Sequence, residues 1–240
     1  MTRIICRFRN EQAMAGKAIK IFRTEYEKAV RKNGFFSVVL SGGKTTRRFF
    51  KILGAQKGLA WNKIYFFFTD ERLEGRNLKH SNFRAADELL FSKTDIPRSN
   101  ICAIPIFSDP GKAAEAYERT IRAFFRGGAA DFDVVFLGLG TDGHTASLFP
   151  GSSVLRERKK LAAAVTAPVY VKPRERVTLT LKALNSAKTA VFLVSGKGKK
   201  EIFAALASGK KKLPSSNVRP AVKLYLLYAA NAANYCAARN

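Results

Sequence analysis

The sequence predicts an α/β fold in which a mostly parallel central sheet lies between layers of helices. Three observations lead there. Short apolar or β-rich runs alternate with amphipathic stretches, and strands joined through helices pair in parallel. Glycine-rich turns follow several of those runs, at the strand ends where such folds bring backbone closest to a ligand. The length, 240 residues with 47% hydrophobic content, is enough to bury a sizeable core. We read residues 1–240 as one domain.

The first element is a helix. From Asn10 to Asn33 the apolar residues Met14, Ala18, Ile21, Phe22, Tyr26, Ala29 and Val30 recur at three- and four-residue steps and Gly34 follows as a stop, which predicts an amphipathic helix. Strand-like runs follow at "FFSVVL", "KIYFFF", "NICAI", "FDVVFLG", "RVTLTL", "TAVFLVS" and "KLYLLY". Helical stretches separate most of them, among them "SNFRAADELLF", "GKAAEAYERTIRAFF" and "KKEIFAALASG". The N-terminus "MTRIICRFRNEQ" carries Arg3, Arg7 and Arg9 within its short apolar stretch and so lacks a signal-peptide core. No apolar run is long enough to span a bilayer, and the expected setting is the cytoplasm.

The charge needs an account. Lys and Arg number 43 against 18 Asp and Glu, a formal +25. Such a balance raises nucleic acid as a partner, and it also suits a small anionic substrate steered by the field. The basic clusters "TRRFFK", "RERKK", "KGKK" and "KKK" are spread along the whole chain, outside any nucleic-acid-binding pattern. That placement argues for a solvated surface and against nucleic acid. Cys6, Cys102 and Cys236 are isolated, without metal-ligand or CxxC spacing, and read as buried reduced thiols.

Four loops carry candidate chemistry. "SGGKTT" follows "FFSVVL", and Gly42 and Gly43 there leave backbone N–H groups uncovered just before a helix expected from Thr45, which can cradle a phosphate. The same residues also serve a plain strand-to-helix turn. "TDER" puts Asp70, Glu71 and Arg72 at the end of "KIYFFF", as a ligand contact or as a salt-bridged surface turn. "LGTDGHTASLFPG" sets Asp142 and His144, one of only two histidines, in a glycine-rich turn. In "GKGKK", Lys199 either reaches an anion or is solvated.

These stretches, with "RERVTLTLKALNSAKTAVFLVSGKGKK" and "LPSSNVRP", resemble the 6-phosphogluconolactonases, within the superfamily that includes glucosamine-6-phosphate deaminase. The resemblance runs from about Asn10 to Ala230. It separates the two branches after "DGH": the deaminase pattern continues roughly as IAFNEPG, whereas here Thr145 to Pro150 read TASLFP. The fold it implies is a Rossmann-like three-layer sandwich of the NagB/RpiA/CoA-transferase type. The activity it implies is hydrolysis of 6-phospho-D-glucono-1,5-lactone, the second step of the oxidative pentose phosphate pathway.

A δ-lactone is an activated ester, so its hydrolysis needs a base for water and donors for the oxyanion, and neither metal nor cofactor is expected. The resemblance implies His144 as general base, Asp142 orienting its ring or binding sugar hydroxyls, and Arg72 on the carbonyl or the phosphate. It assigns the phosphosugar to Gly42, Gly43 and Thr45, with Asp70, Arg176 and Lys199. Arg176 alternatively pairs with a surface carboxylate. The family usually has SGGSTP, so Lys44 and Thr46 depart from it; so do Glu74 to Leu78, where the family has VPxDH, and His80 is expected on the surface. A sugar-phosphate isomerase or deaminase, or a basic non-catalytic sugar-phosphate or nucleic-acid binder, are the other readings. The partner expected is a small phosphosugar lactone, with no membrane. The sequence leaves the oligomeric state open, a monomer being the expectation.

Overall fold

The structure is a computed structural model that describes residues 1–74, 80–209 and 212–231. Gly75 to Leu78 and Cys236 lie outside the described residues. Strand β1 (Thr2–Asn10) leads into helix α1 (Glu11–Asn33), then β2 (Phe36–Leu40), α2 (Lys44–Gly54), β3 (Ile64–Phe68) and the short β4 (Asp70–Arg72). Helices α3 (Asn82–Leu89) and α4 (Pro110–Phe124) precede β5 (Val134–Leu137), β6 (Ala162–Thr166) and β7 (Glu175–Leu179). Helix α5 (Leu181–Ser186), β8 (Thr189–Ser195), α6 (Lys200–Ser208) and β9 (Lys223–Asn231) complete the order.

The central sheet runs β1-β9-β8-β5-β2-β3 and every pairing in it is parallel. Its strand C-termini therefore share one edge. The loops after β2, β3, β5 and β8, the four that the sequence singles out, leave four strands that are neighbours in the sheet. The α/β class is as expected, and so is the long first helix: Asn10 caps it by accepting from the Ala13 N–H, and Gly34 ends it at φ 81°.

Three expectations are corrected. "NICAI" is not a strand but a 3-10 turn, Arg98–Asn100, followed by an isolated bridge from Ile101 to Phe66. "RVTLTL" does not join the parallel sheet; as β7 it is the middle of a separate antiparallel sheet, β4-β7-β6. The N-terminal stretch is strand β1. Its arginines alternate with Ile4, Cys6 and Phe8, which are the half-buried positions, so the residues that interrupt the apolar run are its outward face.

Phenylalanine fills the centre. Phe49 and Phe136 rings lie 4.4 Å apart and Phe22 meets Phe36 edge-on at 5.1 Å, packing α1 and α2 against β2 and β5. Strand β3 is the sheet's edge, so half its backbone groups lack a strand partner. The fully buried Tyr117 of α4 supplies one: its hydroxyl accepts from the Phe68 N–H and donates to the Phe68 carbonyl, both at 2.8 Å. Burial pushes that phenol well above its ordinary pKa, so the donor is kept. Tyr117→Phe leaves two buried backbone groups unpaired and is expected to cost about 1–3 kcal/mol. Urea denaturation measures it; an unchanged midpoint would show that the hydroxyl does not hold this edge.

Candidate active site

The loop after β5 is built around its histidine. The Gly140 N–H donates to the His144 carbonyl at 2.8 Å and the Gly143 N–H to the Gly140 carbonyl at 3.1 Å, closing a tight turn. A Cβ at Gly140 would stand 2.1 Å from His144 Nδ1, so only glycine lets the ring fold back over the chain. His144 Nδ1 lies 2.5 Å from Asp142 Oδ1, and the same oxygen accepts from the His144 backbone N–H at 3.1 Å. A carboxylate only accepts, so Nδ1 carries the proton and Nε2 keeps its lone pair. Phe149 packs against the ring at 4.6 Å and limits its swing.

On the neighbouring strand, Gly43 caps α2 at φ 117° without a side-chain hydrogen bond. Lys44, Thr45 and Thr46, the first residues of that helix, line the cavity described below, and a helix N-terminus is where an anion site forms. Gly42 passes so close to Asn82 that a Cβ would stand 1.7 Å from its side-chain oxygen. Thr46, one of the departures from the family pattern, is buried and donates to the Gly43 carbonyl at 2.9 Å, holding the turn; Lys44 is exposed. The Thr45 hydroxyl lies 2.9 Å from Ser195 Oγ, which donates to Glu11 Oε1 at 2.6 Å.

The TDER segment is not a surface turn. Asp70 is buried and its carboxylate accepts from Thr69 Oγ1 at 3.0 Å, Asn82 Nδ2 at 3.2 Å and Ser147 Oγ at 2.7 Å. Glu71 is buried beside it and accepts from the N–H groups of Arg72, Asn82 and Phe83 and from Ser81 Oγ, fastening β4 to the start of α3. Burial raises its pKa against those bonds. Arg176 is buried too, and the surface-carboxylate alternative for it fails: its charge faces Asp70 at 3.8 Å, Nε donates to the Pro173 carbonyl at 2.9 Å, and the guanidinium lies 5.7 Å from the Phe149 ring centre.

Arg72 stands opposite Arg176 in the β4–β7 register. Its Nη1 donates to the His80 carbonyl, while Nε is buried without a hydrogen-bond partner among the described residues. Burial pulls the Arg176 pKa down and the Arg72 charge adds to that, while Asp70 opposes it. Lys199 is not a solvated lysine: it is half-buried and donates to the Leu139 carbonyl. Burial lowers its pKa and the Asp142 charge pulls the other way.

One cavity of about 430 Å³ gathers these groups. Of the nine residues expected at the site, eight line it: Gly42, Gly43, Thr45, Asp70, Arg72, His144, Arg176 and Lys199. Asp142, the ninth, stands behind His144. His80 is exposed, as expected. Glu11, Ser195 and Asn82 line it as well, and Ser147 supports it from below. Asn82 was visible as part of the "SN" that follows "TDER"; Glu11, distant in sequence from every loop motif, carried no signal. Among the described residues no group of three His, Cys, Asp or Glu is placed to hold a metal ion.

Comparison with known proteins bears on this site. The family model for glucosamine-6-phosphate isomerases/6-phosphogluconolactonase matches residues 9–226. The chain is 32% identical over 225 residues to a 6-phosphogluconolactonase of Nostoc sp., covering 91% of this chain and 92% of that one. It is 34% identical over 226 residues to that of Synechocystis sp., with the same coverage of 91% and 92%. The crystal structure of 6-phosphogluconolactonase from Thermotoga maritima superposes with a TM-score of 0.85 at 31% identity, over 95% of this chain and 100% of that one. The motifs, the parallel sheet and the four loops at its edge thus have one explanation: the chain belongs to the glucosamine-6-phosphate isomerase/6-phosphogluconolactonase family.

Proposed function

We propose that this protein hydrolyses 6-phospho-D-glucono-1,5-lactone to 6-phosphogluconate, the lactone-opening step of the oxidative pentose phosphate pathway. The observation that carries the reading is a histidine with Nδ1 committed to Asp142, lining the same cavity as Arg72, Arg176 and Lys199. Within the family, the Nostoc and Synechocystis relatives bear the lactonase name, and the TASLFP that follows Gly143 and His144 departs from the deaminase pattern. A cytoplasmic, monomeric enzyme belongs to the same reading.

Chemically, His144 Nε2 takes a proton from water as its oxygen attacks C1. Asp142 holds the tautomer and stabilises the imidazolium that forms. The carbonyl oxygen becomes an oxyanion that a cation beside it stabilises. The C1 to ring-oxygen bond then breaks, and the imidazolium returns its proton to the leaving oxygen. Water is added and nothing else is consumed. The 6-phosphate, carrying close to two negative charges, belongs at the α2 N-terminus with Gly42, Gly43 and Thr45. Asp70 already balances Arg176, which leaves Arg72, Lys199 and Lys44 as cavity cations with charge to spare. Anchoring the phosphate there uses binding energy far from C1 to hold the carbonyl beside the base.

A coupled assay decides the reaction. Freshly generated 6-phosphogluconolactone should disappear well above its spontaneous rate in the presence of the protein, with acid and no ammonia as product. A rate equal to the blank would reject the proposal, and ammonia release from an amino-sugar phosphate would favour the isomerase branch. A second expectation concerns anchoring: Lys199→Ala should raise KM for the phosphorylated lactone about tenfold or more, the worth of one charged hydrogen bond. Unphosphorylated gluconolactone should be little affected. Equal losses on both substrates in steady-state kinetics would remove Lys199 from the phosphate.

A further inference from the structure

A hydrogen-bonded relay crosses the phosphate end of the cavity, and its proton direction is determined by its last member. Glu11 is the first residue of α1, and its carboxylate lines the cavity across from the α2 turn. Ser195, the last residue of β8, donates to Glu11 Oε1 at 2.6 Å. A hydroxyl has one proton, so Ser195 meets its other neighbour, Thr45, as an acceptor. The Thr45 hydroxyl at 2.9 Å is therefore the donor of that bond. Its proton points along the relay, and only lone pairs are left for a ligand. A bound phosphate needs donors, so in this state the Thr45 hydroxyl offers it only an oxygen, and the backbone N–H is what remains.

We propose that Glu11 is a positioning residue that limits phosphate affinity: acting through Ser195, it turns the Thr45 hydroxyl away from the anion. The proposal rests on the reading that this end of the cavity takes the 6-phosphate. The consequence for turnover is direct. A product that keeps its phosphate and gains a carboxylate must leave a cavity lined with cations, and a donor withheld from the phosphate shortens its stay.

The charge of Glu11 and the relay can be separated. Arg48 Nε stands 3.8 Å from Glu11 Oε2 and Arg48 Nη1 donates to Gln12, so the cation sits on the far side of the carboxylate from Ser195. In Glu11→Gln the amide oxygen goes to Arg48 and the NH2 faces Ser195. The relay then reverses: the new amide donates to Ser195, Ser195 to Thr45, and the Thr45 proton is free for phosphate. Ser195→Ala frees the same proton while leaving the Glu11 charge in place.

The probe is inorganic phosphate, measured as a competitive inhibitor of lactone hydrolysis. Both Glu11→Gln and Ser195→Ala should lower its Ki roughly three- to tenfold, the span of one neutral hydrogen bond. KM for the phosphorylated lactone should fall with it. In a Thr45→Val background both gains should vanish. A merely structural Glu11 predicts a weaker Ki or none. Unchanged or weakened phosphate inhibition in either single variant overturns the proposal, and so does a gain that persists in the Thr45→Val background. If phosphate does not compete with the lactone in the unsubstituted protein, the phosphate-end reading itself falls and the relay proposal falls with it; competition that these variants leave unmoved rejects the relay alone.

Discussion

The site depends on one buried carboxylate. Asp70 sits where the parallel sheet gives way to the antiparallel one, directly after Thr69, whose carbonyl accepts from the Leu179 N–H of β7. Placing that charge in the interior costs several kcal/mol unless it is answered. The answers come from three directions: Asn82 at the start of α3, Ser147 in the histidine loop, and Arg176 on β7. Asn82 and Arg176 are thereby brought to the cavity wall, and Ser147 ties the histidine loop to the same carboxylate. The same contacts set Asn82 against Gly42, so the phosphate turn and the histidine loop are referenced to a common point. A base and an anion site fixed on a common frame are what a reaction driven by positioning requires.

The cations divide according to this arrangement. Arg176 is paired with Asp70, lies near Phe149 and forms part of the cavity wall. Arg72 stands opposite it, and like charges facing across strands repel unless an anion joins them. Lys199 lines the same cavity, bonded to the Leu139 carbonyl of the histidine loop and within the field of Asp142. Two further cations belong to this geometry: Lys44 lines the cavity and Arg48 stands 3.8 Å from Glu11.

Much of this was legible in the sequence because strand periodicity and glycine placement are local signals. The turn at Gly140 to His144 shows itself in its residues alone, since a histidine folded over a glycine needs that glycine. The phosphate turn is legible for the same reason. What escaped was set by contacts between distant segments. Strand β1 hid because a partner, β9, covers only one of its edges and its arginines can face outward. The status of "RVTLTL" was equally invisible, since an antiparallel strand and a parallel one share a composition. TDER reads as a solvated turn until the fold encloses it, and no rule of spacing connects Glu11 to Ser195, 184 residues later.

The central claim is that His144 acts as a base through a nitrogen that Asp142 leaves free. Chemical rescue tests it most directly. Turnover of the phosphorylated lactone by His144→Ala should drop by about a hundredfold or more, the range of general-base contributions. Added imidazole should restore part of it in proportion to concentration, while inorganic phosphate still competes with the substrate. Turnover near that of the unsubstituted protein, or a dead variant that imidazole leaves dead although phosphate still binds, would contradict the account.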